Sequence, residues 1–281
     1  MTGGVMSRKE ATLANGTRVS CINPRQVSDI ERQVQQYFRH GIMVQPGDTV
    51  FDVGANIGLF TLLVNEMCQG DVTVYAFEPI PAISAALREN LHNIDRLRLI
   101  PFTCGLSDQA RSATFAFRPN MPTLSSAYGE DSAEMEHQVQ DAWLRNLSAA
   151  PLVVRWLALL PLFLRTFIIK KAAHLAFASE QVECQLRRMS DVIFDEHVEK
   201  IDLLKVDVEK SELDVLLGLD DADWKRIRQV VLEIHDIDSR VLVISALLRR
   251  HGISCIVVEQ ERILRGSNVF ALYATRPVIL P

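Results

Sequence analysis

The chain has 281 residues, 30 basic and 35 acidic, giving a net charge of −5, with 48% hydrophobic and 23% charged residues. Such a chain can bury a sizeable core as one large domain or two small ones, which excludes disorder, collagen-like repetition and a disulfide-stapled miniprotein. A dedicated nucleic-acid binder would be basic, so no nucleic-acid partner is expected. The five cysteines, Cys21, Cys68, Cys104, Cys184 and Cys255, are scattered with no Cys-x-x-Cys spacing. They read as reduced, mostly buried thiols of a cytoplasmic protein. Met1 to Glu10 holds no apolar stretch of the kind a secretory signal needs.

In chain order, Asn15-Gly16 between β-leaning runs predicts a hairpin, and Ser28 to Phe38 a helix with Ile30, Val34 and Tyr37 at helical spacing. Residues 1–40 are thus expected to pack on a core domain spanning 41–281. Pro46-Gly47-Asp48 is a turn that launches the strand Thr49–Val53. A helix over Gly58–Met67, a strand at Val72–Phe77, a helix at Ala82–Asn93 and a strand at Leu97–Phe102 follow. After an irregular stretch the alternation resumes. Strands are predicted at Ile201–Val206, Gln229–Ile234, Ile253–Val258 and Val269–Thr275, with helices at Ser211–Leu219 and Ser239–His251. Strands alternating with helices imply an α/β fold, a mostly parallel sheet with helices on both faces.

Residues 129–180 interrupt this pattern. The segment opens acidic, then turns apolar and basic: Arg145, Arg155, Arg165, Lys170 and Lys171 carry the only formal charges between Ala142 and Ser179. Those cations break the apolar run before it reaches membrane-spanning length, so membrane association is not expected. The expected structure is a helical cap or lid on the core domain.

The chemistry concentrates at Val50-Phe51-Asp52-Val53-Gly54-Ala55-Asn56-Ile57-Gly58, a strand entering a glycine turn that opens a helix. Twenty residues after Gly58 the next strand ends at Glu78, where a carboxylate can accept hydrogen bonds from ribose hydroxyls. The unit therefore reads as an adenosine site. A dinucleotide fingerprint is missing, because positions 56 and 59 are Asn and Leu, and there is no Walker lysine. Asp52 within the motif would repel phosphate but suits a ligand bearing an ammonium group. That combination fits S-adenosylmethionine.

Further candidates come from Leu203–Glu212 and Val230–Asp236, each running past the end of a strand. In an open parallel sheet the strand carboxyl ends share one edge, where ligands bind. Asp52, Glu78, Asp207, Glu233 and His235 should therefore converge. His235 is the natural general base, oriented by Glu233 or Asp207. Glu209 and Glu212 read equally well as helix-opening acids. Mg²⁺ on such a group is possible in chemistry but not favoured by the spacing, and no metal site is assigned.

Taken in order, Phe51 to Gly58, Phe77-Glu78-Pro79, Leu106-Ser107-Asp108, Asp202 to Glu209 and Glu233-Ile234-His235 resemble the FkbM family of S-adenosylmethionine-dependent methyltransferases, including members associated with polyketide or peptide synthases. The family usually has glycine after the equivalent of Glu209, whereas this chain has Lys210-Ser211. The resemblance implies a Rossmann-like class I methyltransferase fold with a seven-stranded sheet, and O-methylation of a hydroxyl on a secondary metabolite or sugar. It implies that Asp52, Gly54, Asn56 and Gly58 line the methionine and ribose end of the cofactor and that Glu78 holds the ribose. By the same resemblance the Cys104–Asp108 stretch, with Ser107 and Asp108, sits by the adenine, and Asp207 and His235 face the acceptor. Arg118 to Tyr128 and the insert are candidates for recognising that acceptor, a small molecule either free or tethered to a carrier protein. The competing readings are a nicotinamide-dependent oxidoreductase and a non-catalytic docking module of the same fold.

Overall fold

The computed structural model describes residues 9–92, 94, 98–125, 156–260 and 265–277. Strands β1 (Lys9–Thr12) and β2 (Arg18–Cys21) form an antiparallel hairpin. Helix α1 (Pro24–Gln36) begins earlier than the apolar spacing suggests, because Asn23 caps it: its side chain accepts from the Arg25 amide, and Pro24 occupies the first helical position. Its buried face is Val27, Ile30 and Val34.

The central elements are β3 (Asp48–Val53), α2 (Leu59–Met67), β4 (Val72–Phe77), α3 (Pro81–Leu91) and β5 (Arg98–Phe102). Short strands β6 (Gly105–Leu106) and β7 (Arg111–Phe117) follow. Helix α4 (Leu162–Phe177), β8 (Glu180–Arg187) and α5 (Met189–Asp195) come next. The chain then runs through β9 (Leu203–Val206), α6 (Glu212–Leu217), β10 (Gln229–His235), α7 (Arg240–Arg250), β11 (Cys255–Glu259) and β12 (Val269–Thr275). Seven strands form one sheet in the order β11-β12-β10-β9-β3-β4-β5. Only β12 runs against its neighbours; β10, β9, β3, β4 and β5 pair in parallel. The mostly parallel α/β sheet expected from the alternation is the observed one. Its order places β3 and β9 side by side at the centre, where Asp52 is the register partner of Lys205.

The sheet is buried on both sides, which is why β3, β4, β9 and β10 are nearly unbroken apolar runs. One face packs Phe51, Val53, Leu204, Val206, Leu232 and Ile234 into the main core with α5, α6 and α7. On α1 and α2, Tyr37 meets Phe60 edge-on at 5.8 Å and Phe38 stacks on Phe60 at 5.6 Å. The small sheet β6-β8-β7 and helix α5 fall in the stretch the sequence pattern leaves irregular. Their strands are too short, and in β7 and β8 too exposed, to show as apolar runs.

The chain divides into two compact units, residues 1–114 with 183–281, and residues 115–182. In the second, Leu157 and Ile169 pack together with Leu160 and Ile168, and Asn120 donates to the Leu175 carbonyl. Its α4 is helical where the apolar insert is expected to be, while most of the acidic opening at 129–141 lies outside the described residues. No described helix is long and apolar enough to cross a membrane.

Gly54 shows how tightly the central strands meet. Its φ is +78°, and a Cβ there would lie 1.8 Å from the Asp207 carbonyl oxygen. Gly54→Ala is therefore expected to cost at least ~3 kcal/mol, from a backbone clash added to a left-handed conformation. Urea unfolding of the variant against wild type measures it.

Candidate active site

The loop between β3 and α2 is closed on itself. The amides of Gly54 and Ala55 donate to the Phe77 carbonyl at 3.0 and 2.9 Å, and Asn56 N–H donates to Glu78 Oε2 at 3.1 Å. Ile57 N–H donates to the Asn56 side chain at 2.8 Å and Gly58 N–H to Ala55 at 2.9 Å. A phosphate-binding loop needs such N–H groups free to cradle the anion. Here the amides of residues 54–58 are all committed within the protein, so the loop itself offers no free N–H cradle for a pyrophosphate. This weighs against the nicotinamide-dependent reading and fits an adenosine cofactor without phosphates. The two glycines make room for the protein itself. Gly54 faces the Asp207 backbone, and Gly58, at φ +92°, lies against Leu87 and Leu91 of α3.

Glu78 sits at the end of β4, 6% exposed, and ties the loop to α3. Oε2 accepts from Asn56, while Oε1 accepts from Ile80 at 3.0 Å. Burial pushes its carboxyl up to about 7, against the pull of those two amides and of Lys205. Past β5, Ser107 is buried, its amide donating to the Arg187 carbonyl at 2.9 Å and its hydroxyl to Asp108 at 3.0 Å. Asp108 is half-buried.

Asp52 faces an ammonium of the protein itself. Asp52 is fully buried, with Lys205 Nζ 3.1 Å from Oδ1 and Thr61 Oγ1 donating to Oδ2 at 2.8 Å. Lys205 also donates to the Gly54 carbonyl at 2.7 Å and lies 5.8 Å from the centres of the Tyr37 and Phe60 rings. Burial disfavours the ammonium, but Asp52 and then Asp207 outweigh it and hold Lys205 charged. Sequence reasoning missed Lys205, although a lone lysine in the run Leu203–Val206 is itself a signal: a buried cation needs a buried anion.

Beyond the loop lie the acids of β9 and β10. Asp207 Oδ2 accepts from the Tyr37 hydroxyl at 2.9 Å, and Glu233 Oε2 accepts from Gln33 Nε2 at 2.8 Å. Both donors belong to the segment expected only to pack on the core. An oxygen from each of Asp207, Glu209 and Glu233 lies within 4.8 Å of the others. That spacing could also hold a divalent cation, but nothing further among the described residues points to one. Burial, then the charges of Asp207 and Glu209, raise the Glu233 carboxyl well above the usual range.

His235 is buried at the end of β10, and its orienting partners differ from those expected. Glu212 Oε1 lies 3.1 Å from Nδ1 and Glu209 Oε2 lies 3.4 Å from Nε2, where the sequence suggested Glu233 or Asp207. Burial lowers its proton affinity, yet the hydrogen bond and charge of Glu212, then Glu233 and Asp207, raise it overall. Two carboxylates bracketing an imidazole favour its protonated form. The bracket depends on an unusual turn: Glu209 and Lys210 have φ of +51° and +79°. Lys210 occupies the left-handed conformation that suits glycine, held by its amide's bond to Glu212 at 2.8 Å and by Arg240, which donates to its carbonyl.

A family model described as the Methyltransferase FkbM domain matches residues 52–255. The chain is 39% identical to the 31-O-demethyl-FK506 methyltransferase FkbM of Streptomyces tacrolimicus, over 94% of this chain and 95% of that protein. It is 35% identical to a stretch of the AMB antimetabolite synthetase AmbE of Pseudomonas aeruginosa, over 95% of this chain but 12% of the synthetase. Among solved structures, the precorrin-6y C5,15-methyltransferase of Geobacter metallireducens aligns with 89% of this chain and 88% of its own, at 11% identity and a TM-score of 0.42.

Glu78 makes a stability prediction. Its proton affinity is higher folded, about 7, than the ordinary 4.5. The folded state therefore holds the proton more tightly, and this contribution is lost as pH rises from about 4.5 through about 7. Replacing it by Gln removes that titration. Between pH 5 and 8 wild type should lose on the order of 3 kcal/mol more stability than Glu78→Gln, measured by urea unfolding at each pH.

Proposed function

The chain belongs to the FkbM methyltransferase family, and we propose that it transfers a methyl group from S-adenosylmethionine to a hydroxyl oxygen of a small-molecule acceptor. The observation that carries this reading is the glycine loop whose five amides are all engaged, beside the buried Glu78 and an acid-lined sheet edge. Such a loop suits a nucleoside without phosphates. Glu78, with each oxygen accepting one hydrogen bond from the protein, retains lone pairs for ribose hydroxyls. Ser107 and Asp108 are proposed to meet the adenine.

S-adenosylmethionine supplies an electrophilic methyl group on a sulfonium, and its carbon–sulfur bond breaks as the new carbon–oxygen bond forms. The protein's part is to align the acceptor oxygen, exclude water and take up the hydroxyl proton. We assign that last role to Glu233. Gln33 holds one of its oxygens, and crowding by Asp207 and Glu209 raises its proton affinity, which makes its carboxylate a stronger base than a free one. His235, between Glu209 and Glu212, is assigned the role of balancing the negative charge. The acceptor is proposed to be a secondary metabolite of polyketide or peptide type, since one relative is named for a demethylated FK506 and another is a synthetase.

Calorimetry with S-adenosylmethionine and S-adenosylhomocysteine tests the cofactor, with NADH as control; micromolar binding of the first two and none of NADH is expected. Turnover with 31-O-demethyl-FK506 as first probe, followed as S-adenosylhomocysteine release, tests the reaction class. With any acceptor that turns over, Glu233→Gln should lower kcat roughly a hundredfold while keeping cofactor affinity, and wild-type kcat should rise with pH as Glu233 loses its proton. If His235→Gln abolishes turnover and Glu233→Gln does not, the base is His235.

A further inference from the structure

We propose that Lys205 is a positioning residue for the cofactor loop, and that Asp52 serves it as counter-ion instead of contacting the cofactor's amino-acid cation. The proposal rests on the cofactor reading above. It starts from register: Asp52 and Lys205 are direct partners across the parallel β3–β9 pair, so their side chains leave the same face of the sheet side by side. The pair is sealed. Asp52 is 0% exposed and Lys205 3% exposed. Thr61 takes one oxygen of Asp52, the ammonium faces the other at 3.1 Å, and the Tyr37 and Phe60 rings flank the ammonium.

The charge of Asp52 is thus matched inside the fold. The remaining reach of Lys205 goes to the loop, where its ammonium donates to the Gly54 carbonyl at 2.7 Å and approaches that of Val53 at 3.4 Å. From the opposite side Glu78 accepts the Asn56 amide at 3.1 Å. The loop is therefore clamped at a carbonyl by a cation and at an amide by an anion, two residues apart. Loosening the Lys205 clamp displaces the whole loop, and with it the contacts to the nucleoside as well as to the amino-acid end.

That distinguishes the proposal from a direct contact. S-adenosylhomocysteine carries the α-ammonium; 5′-methylthioadenosine keeps the nucleoside and thioether but lacks the amino-acid part. Affinities of both are measured by calorimetry on wild type, Asp52→Asn, Lys205→Met and the double variant, each checked for cooperative unfolding. Each single variant should weaken both ligands by the same factor, roughly ten- to hundredfold, as when a group that orients a ligand-binding residue is removed. The double variant should be no weaker than the weaker single one, because the two residues act as one unit. If Asp52→Asn weakens S-adenosylhomocysteine and spares 5′-methylthioadenosine, Asp52 binds the ammonium and the proposal fails. Unchanged affinity for both ligands in Asp52→Asn overturns it equally. Should Lys205→Met not fold, Asp52→Asn, which keeps the side-chain volume and the Thr61 hydrogen bond, decides the matter alone. Wild-type protein that folds but binds neither ligand removes the cofactor reading itself, and this proposal with it.

Discussion

The ion pair between Asp52 and Lys205 is the constraint around which the site is assembled. It lies in the middle of a sheet buried on both faces, at the junction of the two central strands. Charges so placed cost several kcal/mol each to desolvate, and a pair of them specifies an arrangement more than it adds stability. What it specifies is register. A slip of one residue between β3 and β9 would move both groups to opposite faces and leave two unmatched charges in the core. The same register brings the Asp207 backbone against Gly54, and so sets the distance between the loop and the acids beyond it.

From that junction the site divides by charge. On the loop side every charged group is balanced or held by backbone amides: Asp52 by Lys205, Glu78 by Asn56 and Ile80. On the other side acids accumulate. Asp207, Glu209 and Glu233 crowd one another, with Glu212 behind His235. Burial and mutual repulsion raise the proton affinity of Glu233, while the surrounding acids do the same for the imidazole. On the proposed mechanism the cation is carried by His235 and the proton is taken up among the carboxylates, the reverse of the division that residue types alone suggest.

Much of this was legible in the chain, for physical reasons that also mark where legibility ends. Parallel strands buried on both faces are apolar runs, so β3, β4, β9 and β10 stand out, and their ends locate Asp52, Glu78, Asp207 and His235. The partner of each residue is another matter. Nothing local in Leu203–Val206 says that this strand lies beside β3, and without strand order the match of Lys205 to Asp52 is invisible. Glu212, spaced to open a helix, gives no hint that it turns back to His235. In α1 the spacing of Ile30, Val34 and Tyr37 shows a buried face but not what it covers. Gln33 and Tyr37, which reach Glu233 and Asp207, read there as one polar and one aromatic position on an ordinary packing helix.

The turn after β9 shows how a strained backbone can be held in place. Lys210 adopts φ of +79° directly after Glu209 at +51°. Two consecutive left-handed residues with side chains cost of order a kcal/mol each or more, and persist only where the surroundings enforce them. Here the enforcement comes from Glu212, whose Oε1 accepts the Lys210 amide while facing Nδ1 of His235, and from Arg240 at the Lys210 carbonyl. The carboxylate that fixes the turn thus also fixes the imidazole. The turn and the ring orientation are held by one group, and Glu212, fully buried on a six-residue helix, is matched there by His235 and by Arg240 3.9 Å away.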